Sequence, residues 1–181
     1  MKATSPFVVK VDSHITLKIR VKSDSIPLFN LVKNNKKHLI KWMPWIKTTK
    51  KLVDTEKFIN NNLEKFKKGE ACDMGVFYDG EMIGSAGYNK INTINKSGEI
   101  GYWISKDYEG KGIMTKVVKK LIQLGKEKYK LHRIVIKMIL ENKRSQAVPK
   151  RLGFRLEGVL RDDSLINGKF HSSEVWSLLI K

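Results

Sequence analysis

The most informative stretch of this sequence is DYEGKGIMTK, residues 107–116. Two glycines, Gly110 and Gly112, follow an apolar run typical of a strand and precede apolar residues at helical spacing up to about residue 128. The first N–H groups of a helix lack intrahelical partners and, with the positive end of the helix dipole, attract phosphate oxygens. Glycines let a phosphate approach the backbone without meeting a Cβ. The stretch therefore predicts a loop that binds a diphosphate, with Lys111 as an added positive charge.

Two common nucleotide-binding motifs do not match this loop. A P-loop needs Gly-x-x-x-x-Gly-Lys-Ser/Thr, which does not occur in the sequence. A dinucleotide-binding fold needs a third glycine at the position of Thr115. It also needs an acidic residue about twenty positions after the loop, whereas the nearest acid at a strand end, Glu141, lies about thirty positions on. An ordinary tight turn between a strand and a helix is the alternative, and a lone Gly-x-Gly does not distinguish the two.

Length and composition narrow the class of protein. A chain of 181 residues predicts one domain that spans residues 1–181. The single cysteine, Cys72, excludes a disulfide framework and a cysteine-rich metal site, and His14, His38 and His171 lack the spacing of metal ligands. No apolar run has the length of a signal peptide or a membrane span. We therefore expect a cytoplasmic protein with no metal and no membrane partner.

The formal net charge is +18, from thirty lysines and six arginines against eighteen acidic residues. Such a charge is typical of proteins that bind nucleic acids. The lysines are, however, spread along the whole chain and accompany many Asn and Ile residues, a bias that an A/T-rich genome produces whatever the function. We interpret the charge mainly as composition, with a nucleic-acid surface as the alternative. In either case the field attracts anions and repels polycations.

Hydrophobic periodicity predicts an α+β fold in three layers (α/β/α), with a mixed sheet that carries helices on both faces. The predicted strands are ITLKIRV, a hairpin about Asp79-Gly80, SGEIGYWIS, LHRIVIKMIL and a final hairpin about Asn167-Gly168. Five helices are predicted. The first starts at Ser23 or Asp24, and a short second one stops at Pro44. The third starts at Asp54 or Thr55 with Phe58, Leu63 and Phe66 facing the core, the fourth follows Gly112, and the fifth closes at Gly153.

The segment EIGYWISKDYEGKGIMTKVVKKLI, followed by NKRSQAVPKRLGFRLEG, closely resembles the GNAT acetyltransferases, in particular the RimJ/RimL-type ribosomal-protein N-acetyltransferases. The resemblance extends over about residues 14–179 and implies a GNAT-like, mostly antiparallel sheet whose central parallel strands splay apart. The acetyl-CoA loop of that family reads Gln/Arg-Gly-x-Gly-x-Gly/Ala. It falls here on Glu109, Gly110, Lys111, Gly112, Ile113 and Met114, with Thr115 beside it.

Two positions depart from the family pattern. Glu109 replaces Gln or Arg and puts a carboxylate near the diphosphate, which weakens binding unless the side chain points away. Met114 replaces a small residue, which matters little because the backbone N–H makes the contact. The resemblance further implies that the pantetheine arm bonds free backbone groups near Trp103, Ile104 and Ser105.

The resemblance also implies roles for residues near the reacting groups. Asn142 binds the pantetheine or its amide neighbours, or else merely ends a strand. Ser145 matches a hydroxyl that donates to the departing thiolate; its alternative role is a helix N-cap, and both can hold. Glu99 is the candidate general base, with a surface ion pair to a lysine as the alternative. In the segment after LEG, where RimJ/RimL-type enzymes can carry an acid, this chain offers Arg161, Asp162, Asp163 and Ser164.

The function implied by the resemblance is acetyl-CoA-dependent N-acetylation by direct attack in a ternary complex. The expected acceptor is the N-terminal α-amine of a ribosomal or other protein. At pH 7 roughly a tenth of an α-amine is in the neutral form that can attack, compared with about a thousandth or less of a lysine side chain. Trp42, Trp45 and Tyr102 are candidate walls of the acceptor pocket, with burial in the core as the alternative.

Partners and rival functions complete the prediction. The resemblance implies a homodimer and an association with the ribosome. One alternative is acetylation of a small-molecule amine such as an aminoglycoside or a polyamine, which the positive field disfavours. The other is a non-catalytic basic module that binds the ribosome or RNA on a GNAT fold.

Overall fold

The computed structural model describes residues 7–181. The strands are β1 Val8–Lys10, β2 Ile15–Ile19, β3 Cys72–Tyr78, β4 Glu81–Asn92, β5 Ser97–Ile104, β6 Arg133–Ile139, β7 Arg155–Ile166 and β8 Lys169–Leu179. The helices are α1 Ser25–Asn34, α2 Lys36–Leu39, α3 Leu52–Lys67, α4 Ile113–Glu127 and α5 Lys143–Arg151, with short 3-10 helices at Lys22–Asp24, Pro44–Lys47 and Lys106–Tyr108. The strands form one eight-stranded sheet in the order β1-β2-β3-β4-β5-β6-β8-β7.

The centre of the sheet opens between β5 and β6. These two strands are parallel, whereas every other neighbouring pair is antiparallel. They pair over residues 97–100 and 133–136 and stop there, although β5 continues to Ile104 and β6 to Ile139. The second halves of the two strands therefore part. This confirms the predicted splay and the mostly antiparallel sheet.

Helices cover both faces of the sheet, as the sequence predicts. Met82 and Ile83 are neighbours on β4 and so point to opposite faces. Met82 is buried in a core with residues of α1 and α3, whereas Ile83 is buried in a core that includes the apolar side of α4. The three predicted layers are thus α1 with α3, the sheet, and α4. No helix within residues 7–181 is both long enough and apolar enough to span a membrane.

A buried tyrosine holds α4 close to the sheet. Tyr88 on β4 is fully buried and donates its hydroxyl hydrogen to the carbonyl oxygen of Leu121 at 2.9 Å. A Cβ on Gly125, one turn further along α4, would come within 2.2 Å of that hydroxyl oxygen, so a larger residue would push the helix away. This contact fixes α4 over the sheet and thereby fixes the loop at its N-terminus.

The opposite layer is tied to the end of β5. The side-chain oxygen of Asn35, between α1 and α2, accepts hydrogen bonds from Ser105 Oγ at 3.2 Å and from the N–H of Lys106 at 3.0 Å. These two bonds hold the segment between α1 and α3 beside the opening of the sheet.

The sequence-based boundaries of this layer need correction. Helix α3 begins at Leu52, ahead of the predicted start, because the carboxylate of Asp54 in its first turn accepts hydrogen bonds from the N–H groups of Lys50 and Lys51, just before the helix. Pro44 opens a 3-10 helix as its first residue, a place where its missing N–H costs nothing. The expected inward orientation of Phe58 is wrong: Phe58 is 44% exposed, while Ile59 beside it is buried.

Candidate active site

The glycine loop leaves a bare backbone surface at the N-terminus of α4. Gly110 and Gly112 both have a φ of +74°, and Gly112 is the N-cap of the helix. Residues with a Cβ rarely adopt this φ, so the loop conformation favours glycine at both positions. A Cβ built on either glycine meets no atom of residues 7–181 within 4 Å. The space over the loop is therefore open.

The N–H groups of this loop are free to bind a ligand. Those of residues 110–115 have no hydrogen-bond acceptor anywhere in residues 7–181, and the N–H of Lys116 is the first to bond, to the carbonyl oxygen of Gly112 at 3.2 Å. Lys111 adds a cation, and its Nζ lies 5.0 Å from the centre of the Tyr108 ring. Free N–H groups at a helix N-terminus with no side chain in the way fit the oxygens of a diphosphate.

The carboxylate of Glu109, at the start of the loop, is paired with two basic side chains. Its Oε1 lies 3.1 Å from Nε2 of His38 on α2, and its Oε2 pairs with the guanidinium of Arg144 on α5. The repulsion expected between Glu109 and a diphosphate is therefore offset by the positive charge of Arg144 at the same place.

The end of β5 brings the other predicted cofactor contacts to the opening of the sheet. Trp103 and Ile104 lie in the part of β5 whose edge towards β6 has no strand partner. Ser105 differs from the prediction, because its N–H already donates to the carbonyl oxygen of Ile83 at 2.8 Å and its hydroxyl donates to Asn35. With both donors engaged, Ser105 anchors the α1–α3 segment and has no free donor for a pantetheine arm.

A tyrosine connects the opening to α5. Asn142 is the N-cap of α5, since its Oδ1 accepts the N–H of Ser145 at 3.2 Å, so the alternative of Ser145 as N-cap is wrong. Ser145 Oγ donates to Tyr102 Oη at 3.2 Å, and Tyr102 Oη donates to the carbonyl oxygen of Ser145 at 2.9 Å. Burial raises the pKa of Tyr102 to about 12, although the hydrogen bond from Ser145 opposes the rise. The phenol is therefore protonated at neutral pH.

A cavity of about 560 Å³ opens on the face of the sheet that α1 and α3 cover. Its lining comes from α1, the segment before α3, the start of α3, Arg20 directly after β2, and the strands β3 to β6. Two of the three predicted wall residues, Trp45 and Tyr102, line this cavity, and Trp42 does not. The cavity reaches the opening of the sheet at Gly101 and Lys137, beyond the last paired residues of β5 and β6.

A buried ion pair forms the floor of the cavity. Arg20 is 3% exposed; its guanidinium pairs with Asp73 on β3 and donates to Ser85 Oγ at 2.9 Å. Ser85 Oγ donates to Asp73 Oδ1 at 2.7 Å, and Asn62 Nδ2 donates to Asp73 Oδ2 at 3.1 Å. No local sequence pattern predicts this network, because its members come from four separate segments of the chain. The one local signal is an arginine directly after an apolar strand.

Aromatic side chains form the outer wall of the cavity. The rings of Trp45 and Phe58 are nearly parallel, at 9°, with centres 6.5 Å apart, and both side chains are partly exposed. The ring centre of Trp103 lies 6.3 Å from that of Trp45. The guanidinium carbon of Arg20 lies 5.3 Å from the centre of the Phe58 ring. A positive charge thus lies behind the aromatic wall.

Two carboxylates lie beside the cavity without lining it. Glu99 is half-buried on the same face of β5 as Gly101, and forms no ion pair with any described residue, so the predicted alternative of a lysine partner is not realised. In the segment after LEG, Asp163 reaches the cavity residue Lys137, with Oδ2 3.1 Å from Nζ. Burial opposes ionisation of Asp163, but hydrogen bonds led by that from Lys137 outweigh it and lower its pKa. Within residues 7–181, no group of three His, Cys, Asp or Glu side chains is arranged to hold a metal ion.

Comparisons with known proteins identify the family. Residues 15–155 match the acetyltransferase (GNAT) domain family. YdaF of Bacillus subtilis (strain 168) is 35% identical over 96% of this chain and 95% of its own length. The ribosomal-protein-serine acetyltransferase of Escherichia coli (strain K12) is 30% identical over 95% of this chain and 96% of its own.

Solved structures of similar proteins agree with this result. The microcin C7 self-immunity acetyltransferase MccE, in complex with acetyl-CoA and AMP, has a TM-score of 0.91 at 34% identity and covers 95% of this chain and 96% of its own. RimL, the ribosomal L7/L12 alpha-N-protein acetyltransferase in complex with coenzyme A, has a TM-score of 0.93 at 29% identity, over 96% and 98% of the two chains. With the family match over residues 15–155, these similarities show that the chain is an acetyltransferase of the GNAT family.

Proposed function

We propose that this chain transfers the acetyl group of acetyl-CoA to a primary amine by direct attack in a ternary complex, and that the acceptor is the N-terminal α-amine of a protein. One observation carries the proposal: the glycine loop and the cavity meet at the same opening of the sheet. The loop of residues 110–115 lies at the α4 side of the opening, and the cavity reaches the opening from the other face at Gly101 and Lys137. A cofactor and an acceptor that enter from opposite sides can meet there.

Backbone groups would hold the cofactor. The N–H groups of residues 110–115 bind its diphosphate, and the unpaired edge of β5 at Trp103 and Ile104 bonds its pantetheine arm. When bound, acetyl-CoA supplies an acetyl group activated as a thioester. Complexes of MccE with acetyl-CoA and of RimL with coenzyme A support this assignment. Asn142 contributes by capping α5 and thereby placing Ser145.

Tyr102 and Ser145 assist the departing thiolate. Ser145 Oγ lies 3.2 Å from the protonated phenol of Tyr102, next to the opening of the sheet. A hydroxyl that turns from Tyr102 towards the sulfur donates a hydrogen bond where negative charge develops, and the phenol of Tyr102, which stays protonated, can turn its own hydrogen to the serine oxygen. Neither residue forms a covalent bond with the acetyl group, because direct attack by the amine requires no enzyme nucleophile.

The amine requires only modest help to lose its proton. An α-amine with a pKa near 8 is already roughly a tenth neutral at pH 7. Glu99 is the base in our proposal, because its carboxylate has no ion-pair partner within the described chain and lies on the cavity face of β5. Since Glu99 does not line the cavity, it acts through an intervening water molecule.

The relatives support a protein acceptor. The Escherichia coli relative is a ribosomal-protein-serine acetyltransferase, and RimL is an alpha-N-protein acetyltransferase of ribosomal L7/L12. We therefore propose a ribosomal protein as the acceptor, a transient association with the ribosome and a cytoplasmic location. The net charge of +18 disfavours polyamines and aminoglycosides, which are themselves cations.

A small-molecule amine that carries a planar ring is the second candidate acceptor. The nearly parallel rings of Trp45 and Phe58 offer a flat group stacking contacts at the mouth of the cavity. MccE, at 34% identity, was solved with AMP as well as acetyl-CoA. The net charge of +18 is compatible with a phosphate on such a molecule.

A homodimer is also part of the proposal. Strand β7 is an edge of the sheet, and its apolar residues Leu156, Val159 and Leu160 are exposed. An exposed apolar edge strand is a template for pairing with a second chain. Analytical ultracentrifugation is expected to give the mass of two chains, and a monomer at high protein concentration would contradict this part of the proposal.

Mass spectrometry of ribosomal proteins, from cells with and without the gene, tests the acceptor. We expect one protein to lose the mass of an acetyl group at its N-terminus when the gene is absent. If no ribosomal protein changes while the purified enzyme acetylates an amine-bearing nucleotide, the second candidate replaces the first. The absence of any thermal stabilisation by saturating acetyl-CoA would contradict both and favour a non-catalytic binding module.

A further inference from the structure

An ion pair joins the two strand ends across the opening of the sheet. Glu109 follows the 3-10 helix after β5, and Arg144 lies in the first turn of α5, which follows β6. Because β5 and β6 have already parted, the pair between Glu109 and Arg144 connects the two sides of the gap. Nε2 of His38 on α2 lies 3.1 Å from the other oxygen of the same carboxylate, a contact that becomes an ion pair when the imidazole is protonated. One carboxylate thus links α2, the glycine loop and α5.

The guanidinium of Arg144 has room for a second anion. Its Nη1 contacts Glu109, but its side chain is 78% exposed, whereas that of Glu109 is 19% exposed. A guanidinium carries five N–H donors in a planar fork that matches phosphate oxygens. Glu109 is the residue directly before Gly110, so the free donors of Arg144 lie beside the loop whose N–H groups lack acceptors within residues 7–181.

We propose that Arg144 binds the diphosphate of the cofactor and that Glu109 is the residue that positions it. This inference rests on the proposed function, because it takes acetyl-CoA as the co-substrate. An exposed arginine samples many rotamers, and the carboxylate, itself held by His38, restrains it at the loop before the phosphate arrives. The charge of Arg144 also cancels that of Glu109, so that Lys111 and the N–H groups dominate the field at the loop.

Isothermal titration with coenzyme A tests the role of Arg144 without measuring activity. Arg144→Ala should raise the dissociation constant about tenfold, because a charge-assisted contact to phosphate is lost, and Arg144→Lys should lie between this variant and the wild type. Arg151→Ala removes the same charge from the far end of α5 and is the matched control, expected within about twofold because exposed remote charges are screened. An unchanged dissociation constant in Arg144→Ala would overturn the inference.

A double-mutant cycle tests the role of Glu109. In the wild-type background, Glu109→Gln should not tighten coenzyme A binding, because the loss of repulsion is opposed by the loss of the hold on Arg144. In the Arg144→Ala background the same change should tighten binding, because Glu109 is then an uncompensated carboxylate near the phosphate. Equal tightening in both backgrounds would show that Glu109 only repels the ligand, and the positioning role would be wrong.

Titration with 3′-dephospho-coenzyme A, which keeps the diphosphate but lacks the 3′-phosphate, shows which phosphate Arg144 contacts. We expect Arg144→Ala to weaken both ligands by the same factor. A loss confined to coenzyme A would assign Arg144 to the 3′-phosphate and overturn the inference. A wild-type protein that binds neither ligand would contradict the proposed function itself, whereas wild-type binding with an unaffected Arg144→Ala contradicts this inference alone.

Discussion

The glycine loop and the cavity lie on opposite sides of one gap in the sheet, and they differ in what they offer a ligand. The loop offers backbone N–H groups from one continuous segment, residues 110–115. The cavity offers side chains gathered from α1, the segment before α3, α3 itself, Arg20 after β2 and the four strands β3 to β6. A backbone site needs glycines and a helix start, and it survives change in most side chains around it. A protein of this design can keep its co-substrate while its acceptor changes.

The largest effect is expected on the cavity side, from Asp73→Asn. This change leaves Arg20, 3% exposed, without its counter-charge, and should lower the free energy of unfolding by about 3–5 kcal/mol. Urea unfolding followed by circular dichroism measures the loss. Asp79→Asn is the matched control, because its partner His14 is exposed, and should cost less than about 1 kcal/mol. Similar losses in the two variants would mean that the buried pair does not hold the cavity floor.

On the loop side, Gly112→Val should raise the Michaelis constant for acetyl-CoA at least about tenfold. A β-branched residue at this positive φ is strained by about 1–3 kcal/mol, and its side chain occupies the open space over the loop. Gly110→Val should behave alike. Gly69→Val, with the same φ of +74° and the same open space but at the end of α3, should lose stability without a change in that constant. An unchanged constant in Gly112→Val would refute the diphosphate assignment.

At the meeting point of the two regions, Glu99→Gln should reduce kcat/KM about tenfold at pH 7, because roughly a tenth of an α-amine is neutral there without a base. The deficit should shrink as the pH rises past about 8, where the amine is neutral on its own. The pH profile of kcat/KM measures both effects. A normal Glu99→Gln enzyme beside a strongly impaired Asp163→Asn enzyme would transfer the role of base to β7.

The smallest effect is expected at the aromatic wall. Trp45→Ala should raise the Michaelis constant of the acceptor about two- to tenfold, in line with the loss of one aromatic contact of about 0.5–1.5 kcal/mol, and leave the affinity for coenzyme A unchanged. Trp42→Ala is the matched control, because Trp42 does not line the cavity. If both variants change the affinity for coenzyme A, the acceptor and cofactor regions are not separate.

The loop side could be predicted from sequence because its determinants are local. The apolar spacing predicts α4, and the glycines before it predict the loop. The positive φ values of Gly110 and Gly112 agree with the predicted glycine turn at the helix N-terminus. The hairpin turns at Asp79-Gly80 and Asn167-Gly168 are also where the sequence predicts them, because such pairs accept a positive φ. The splay of β5 and β6 came from the family resemblance, since no local pattern encodes a gap between two strands.

The cavity side could not be predicted in the same way, because its determinants are contacts between distant segments. Phe58 has the spacing of a core residue, but it turns outward to Trp45 and the guanidinium of Arg20. Asn142 and Ser145 are equally good caps by composition, and the choice between them depends on Tyr102, which engages the serine hydroxyl.

The gap between β5 and β6 gives the sheet an edge at its centre. Backbone amides of residues 101–104 that point towards β6 lack a strand partner, so their hydrogens should exchange with solvent as fast as those of an outer strand, while those that point towards β4 stay protected. This inner edge is then less protected than the rest of the central strands. In the function proposed above, a ligand amide that fills the gap would complete the ladder, and bound ligand should slow the exchange of these amide hydrogens.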